Sequence, residues 1–148
     1  MGYVLFAHQQ QVTGGLINSK NLALAQISDQ RMVLASHTST LQSQITSLTS
    51  RKADQTGDLY QQMTSADDSS ARETVQAEIE KLETDFEAEI AKINLKIYNT
   101  SIKDQALEMQ QKKEETILTA LQKTLDNIEA ALKNAIDKGA AKVQGLSN

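Results

Sequence analysis

The chain contains no cysteine, no proline and no tryptophan. The first absence excludes disulfides, thiolate chemistry and cysteine-based metal sites together. The second removes the residue that damages a helix most. At an average usage of about 5% a chain of this length would hold several prolines, so their absence favours long uninterrupted helices. The third belongs to a general shortage of aromatics, 3% of 148 residues, although such side chains normally carry much of a compact core. Positive charge is not in excess either. A net charge of −4 and a pI near 5.2 provide no basic face for a phosphate backbone, which argues against nucleic acid as a partner. No stretch approaches the ~18–20 consecutive apolar residues of a membrane span, and an interfacial anchor would want basic residues that the apolar segments lack. His8 and His37 have no carboxylate at ligand spacing. Phosphate loops, Gly-x-Gly-x-x-Gly turns and nucleophile elbows are missing as well. The expectation is a protein that is not an enzyme and holds no metal or cofactor.

What the chain does have is Gln, Ser and Thr, 41 residues in all, and a concentrated apolar head. Tyr3, Val4, Leu5 and Phe6 open the sequence and contain two of its five aromatic residues; Gly14 and Gly15 follow. The head is too short for the ~7–15-residue apolar run of a secretory signal and has no basic residue before it. Phe6 stands where a myristoylation signal wants Ser or Thr. Gly14-Gly15 with Val12 has the form of a double-glycine leader, but Gln9 occupies a position where such leaders want an apolar residue. The preferred expectation is an exposed patch that meets another copy of the chain or a partner helix, with the glycine pair as a hinge.

From Leu16 the apolar residues take a helical register. Leu24 and Ile45 share one stripe, and Ile27, Leu34, Leu41 and Leu48 recur every seven residues on its neighbour, an a/d pattern. Arg31 and Thr38 interrupt the first stripe. Only Lys20, Asp29 and Arg31 are charged among the first 50 residues. Such a helix is either wetted by Gln, Ser and Thr or covered on several sides by neighbouring helices, which would not tolerate unpaired buried charge.

The first helix is expected at 16–56, followed by a loop at 57–70 on the strength of Gly57 and the run "SADDSS". Ser70 and Glu73 form a capping box that starts a second helix near Ala71. That helix bears Val75, Ile79, Leu82, Phe86, Ile90, Ile93 and Ile97, several of which repeat after eleven residues. Eleven residues over three turns favours a straight or slightly right-handed coil, unlike the first helix. "YNTSIKD" at 98–104 is a candidate break, centred on 99–101. Leu118, Leu121, Leu125, Ile128 and Leu132 then restore a heptad. Lys138 and Gly139 suit a helix end near 138, with a tail at 139–148. Charge is sorted too: residues 67–89 hold nine acids against two bases, and residues 90–148 nine bases against seven acids. Solvated faces account for this sorting, or else the acidic stretch of one subunit meets a basic stretch of another.

The fold class expected is all-α, a long antiparallel helical hairpin or coiled coil, with three helices if the chain breaks at 99–101. A helix over 71–138 would run about 100 Å against roughly 60 Å for 16–56, so the surplus must fold back or be covered by other subunits. The Gln/Ser/Thr-rich, cysteine-free composition, the first coil, the loop and the last coil, "ILTALQKTLDNIEAALKNAI", resemble filament and needle subunits of type III secretion-like export systems and the terminal coils of flagellins. The resemblance implies helices that pair and stack around a channel in a homo-oligomer, and an extracellular or cell-surface location reached without a cleaved signal; the alternative location is cytoplasmic. Two other functions compete: a cytoplasmic adaptor or scaffold that binds partner helices, and a helical membrane-active toxin.

Overall fold

The structure is a computed structural model that describes residues 2–147, with the side chains of residues 2 and 4–140. It consists of two long helices packed against each other as an antiparallel hairpin, α1 at Gly2–Ser65 and α2 at Ser69–Ser147. No strand occurs among the described residues.

Both helices are longer than their local chemistry suggests. The Ser/Thr-rich part of α1 is helical in spite of its modest propensity because Leu41, Ile45 and Leu48 pack inward at helical spacing, and its hydroxyls fold back onto the helix. Thr40, Thr46 and Thr49 each donate to the carbonyl four residues back, on Ser36, Gln42 and Ile45, at 2.8–3.1 Å. Gly14 and Gly15 form no hinge and Gly57 no loop; all three lie within α1 and none has a positive φ. A neighbour pattern that runs through them fixes the helix more strongly than their propensity, at about 1 kcal/mol per glycine, opposes it. The helix therefore begins at Gly2 rather than Leu16 and includes the apolar head.

The loop of 57–70 contracts to residues 66–68. The capping box of Ser70 and Glu73 gives way to an Asp68 cap. The Asp68 side chain accepts from the backbone N–H of Ser70 at 3.1 Å, its carbonyl accepts from the N–H of Arg72 at 3.1 Å, and Arg72 Nε donates to the Ala66 carbonyl at 3.0 Å. A carboxylate at the positive end of the helix satisfies a free donor and also gains from the dipole. At the expected break, α2 is continuous. Thr100 is buried and its hydroxyl is satisfied by the Lys96 carbonyl at 2.8 Å, so the β-branched residue fits the seam without leaving a polar group unpaired. The end expected at Lys138 and Gly139 is also passed, and the side chains of 141–148 lie outside the described residues. With 64 and 79 residues, the arms are far closer in length than the sequence expectation.

The hairpin divides into two compact units, one formed by Arg31–Gln105 and the other by Met1–Gln30 with Ala106–Asn148. In the first, Leu41, Ile79, Phe86 and Ile93 are buried, and Ile79 is only 1% exposed. Each such side chain contributes on the order of 1.5–3 kcal/mol through removal from water. Arg51 lies over the Phe86 ring, 6.0 Å from its centroid. In the second unit Ile27 and Thr13 are buried, and the remaining seam residues are half-buried.

Within Arg31–Gln105 the two helices do not ask for different coils. The inward residues of α1 run Leu41, Ile45, Leu48, Lys52, Thr56 and Leu59, and those of α2 run Ile79, Leu82, Phe86, Ile90 and Ile93. Each series contains two consecutive steps of four, the insertion that loosens a heptad toward an eleven-residue repeat. The matching step in α1 is carried by Lys52 and Thr56, polar residues that conceal it from an apolar pattern.

Candidate functional site

The seam takes more of the polar sequence than its apolar pattern implies. Extended backwards, the seven-residue spacing of Ile27, Leu34, Leu41 and Leu48 passes through Lys20, Thr13 and Phe6; the spacing of Leu24 passes through Ile17 and Gln10. Every one of these side chains is half-buried or buried. Phe6 thus belongs to the hairpin's own seam, which corrects the expectation that the whole head is surplus to it. Val4 and Leu5 are exposed, and the Tyr3 side chain lies outside the described residues. Of the other positions singled out, Leu82, Ile90, Ile97, Leu118, Leu121, Leu125, Ile128 and Leu132 are half-buried along α2.

Ion pairs occupy the same seam. In the terminal unit, Lys20 Nζ lies 2.7 Å from Glu114 Oε2, and Gln10 Nε2 donates to Glu129 Oε1 at 3.4 Å. In the other unit, Arg31 Nε and Nη2 donate to Asp104 Oδ1 and Oδ2 at 2.8 and 3.2 Å, a two-point grip on the carboxylate. That hydrogen bond, aided by the guanidinium charge and opposed by burial, holds the Asp104 carboxyl below its ordinary value. Nearer the turn Lys52 Nζ lies 3.7 Å from Glu87 Oε1. Arg31, which breaks the apolar stripe in the sequence, is therefore a paired seam residue. An inward position alone does not identify its match, because Glu83, Asp104, Glu108 and Glu114 are all half-buried on α2; the antiparallel register selects Asp104.

These pairings change what the outside of α1 is made of. Lys20 and Arg31 are drawn to the seam, so over residues 2–50 the outer surface of α1 bears a single formally charged side chain, Asp29. The same surface exposes Val4, Leu5, Val12, Leu22, Met32 and Val33. On α2, Leu95, Tyr98 and Ile102 are exposed as well, on the side opposite Ile93, Ile97 and Thr100.

The grooves beside the seam are shallow and open; one is lined by His8, Gln9, Val12, Thr13, Thr124 and Ile128. Among the described residues no three His, Asp or Glu side chains gather in a metal-binding group, and no helix is long and apolar enough to cross a membrane. Fold and surface together define an all-α helical hairpin with a mixed apolar and ionic seam and apolar residues left outside it. No family model matches the chain, and no curated protein or solved structure matches it either.

Proposed function

We propose that this chain is a non-enzymatic structural protein that assembles with copies of itself, as the subunit of a helical filament or sheath. The observation that carries the reading is the outer surface of α1, where residues 2–50 present one formal charge and several exposed aliphatic side chains. A helix bathed in water ordinarily spreads Lys, Glu and Asp over its outer face. Depletion of charge around exposed apolar groups is instead the composition of an interface core. The resemblance to export filament subunits extends the proposal to a site of action outside the cell, reached without a cleaved signal.

Electron microscopy of the purified full-length chain across a concentration series, with sedimentation alongside, tests this reading. Fibres of uniform diameter are expected above a threshold concentration, and Leu5→Gln with Met32→Gln should raise that threshold while leaving helix content unchanged. Small monodisperse particles at every concentration would overturn self-assembly and bring forward the adaptor that binds another protein's helices. Leakage from liposomes would favour the membrane-active reading.

A further inference from the structure

The turn that reverses the chain consists of Ala66, Asp67 and Asp68. It holds neither Gly nor Pro, and none of its residues has a positive φ. Nothing in its backbone chemistry therefore opposes a helix that runs straight through. What holds the reversal is local: the Ala66 N–H donates to the Met63 carbonyl at 3.3 Å, Asp68 caps α2, and Arg72 reaches back to the Ala66 carbonyl. A continuous helix would lose these contacts and would satisfy instead the free carbonyls at the end of α1 and the free N–H groups at the start of α2. Opening the turn exchanges one small set of hydrogen bonds for another.

The seam commits the opened form to other copies. Its apolar side chains would be bared to water, and every copy carries both of the helices that cover them, in a register that Arg31–Asp104 and Lys52–Glu87 already specify. We infer that the helices exchange between copies: the turn opens into helix, and α1 of one chain takes α2 of another with the contacts made inside the hairpin. This exchange rests on the self-assembly reading and supplies its mechanism.

Helical phase decides what the exchange builds. Near the turn the inward residues of α1 are Leu59, Met63 and Ala66, and those of α2 are Val75, Ile79 and Leu82, each sixteen residues after its counterpart. At 3.6 residues per turn, sixteen residues make four turns and about 160°. On a continuous helix the two stripes thus face nearly opposite sides. A single second copy cannot lie against both, so a chain whose α1 is covered by a second copy offers its α2 to a third. Such an exchange does not close on itself, and it grows an open row of antiparallel helices.

Two substitutions at the turn separate the forms. Ser69 is the first residue of α2, where proline is tolerated and its fixed φ suits a helix start. In a continuous helix the same ring would clash with the Ser65 carbonyl. Ser69→Pro should therefore leave the melting temperature of the dilute hairpin unchanged or higher, and should raise the concentration threshold for fibres at least about tenfold. Asp68→Ala removes the cap and should lower that threshold. The span within one chain is measured directly by spin labels on Ala53→Cys and Ala88→Cys, two exposed positions in a chain that has no other cysteine, with labelled chains diluted into unlabelled ones. Lys52 and Glu87 lie side by side in the hairpin, so dilute chains should give a short separation and fibres one of about 52 Å, the length of thirty-five helical residues. A short separation retained in the fibres, or a threshold that Ser69→Pro does not move, would overturn the exchange and leave self-assembly standing. A wild-type chain that is monomeric at every concentration would overturn both.

Discussion

The unit near the turn, residues 31–105, and the unit that holds both chain ends are cut from the same two helices and differ in what fills the seam. Near the turn, Leu41, Ile79, Phe86 and Ile93 are buried, and the wide steps of the two helices coincide. At the chain ends Ile27 is buried together with Thr13, and the inward positions include Gln10, Gln111, Ala131 and Ala135. Identical topology therefore gives unequal cores. Because helix stability in proteins comes chiefly from packing of the apolar face, the turn end should hold the hairpin together and the open end should be the first to loosen.

The largest test of this contrast is truncation of one inward side chain in each unit. Ile79→Ala, at a position with no relaxed surface nearby, should cost about 2–5 kcal/mol. Leu121→Ala, at a half-buried position in the other unit, should cost distinctly less. Urea unfolding followed by circular dichroism, at a concentration below any assembly threshold, measures both. Equal losses would mean that the two seams are equivalent in spite of their composition.

The same contrast explains what could be read from the sequence. The hairpin class was legible because Ile27, Leu34, Leu41, Leu48 and the run from Ile79 to Ile97 are apolar at helical spacing. The extent of the helices was not. Gly14, Gly15 and Gly57 are poor helix formers, and a local reading makes them hinge and loop, but the inward line from Phe6 through Thr13 to Lys20 continues across the first two. Lys52 and Thr56 likewise hold inward positions that an apolar pattern does not register. Thr100 escapes the same way, since its burial depends on a hydroxyl bond to the Lys96 carbonyl. The partners of Lys20 and Arg31 lie 94 and 73 residues away, and only the antiparallel register brings them together. Thus apolar periodicity shows that a seam exists, whereas the polar residues that share it are visible only once two helices are aligned.

A smaller effect sharpens the comparison from the open end. A methyl group added at Gly14 or Gly15 would meet nothing within 4 Å, and neither residue has a positive φ. Gly14→Ala and Gly15→Ala should each therefore stabilise the hairpin by about 0.5–1 kcal/mol, chiefly by restricting the unfolded chain. Differential scanning calorimetry would record a higher melting temperature for each. A lower one would restore the hinge that the sequence alone suggests.

The smallest expected effect belongs to Arg31 and Asp104, and its value lies in its pH dependence. The Asp104 carboxyl titrates below its ordinary value in the folded chain because Arg31 donates to it. The unfolded chain consequently binds a proton there more readily. The stabilisation is present above the unfolded carboxylate value of about 4 and is lost as pH falls through the lower folded value. The melting-temperature difference between wild type and Asp104→Asn should accordingly hold steady from about pH 7 to pH 5 and shrink below about pH 4. Arg31→Met removes the donor from the other side, so in that background Asp104→Asn should change melting little at any pH. A difference that persists undiminished to pH 3 would mean that Asp104 acts through packing of its side chain, and the two-point grip would then be a consequence of the helix register instead of one of its causes.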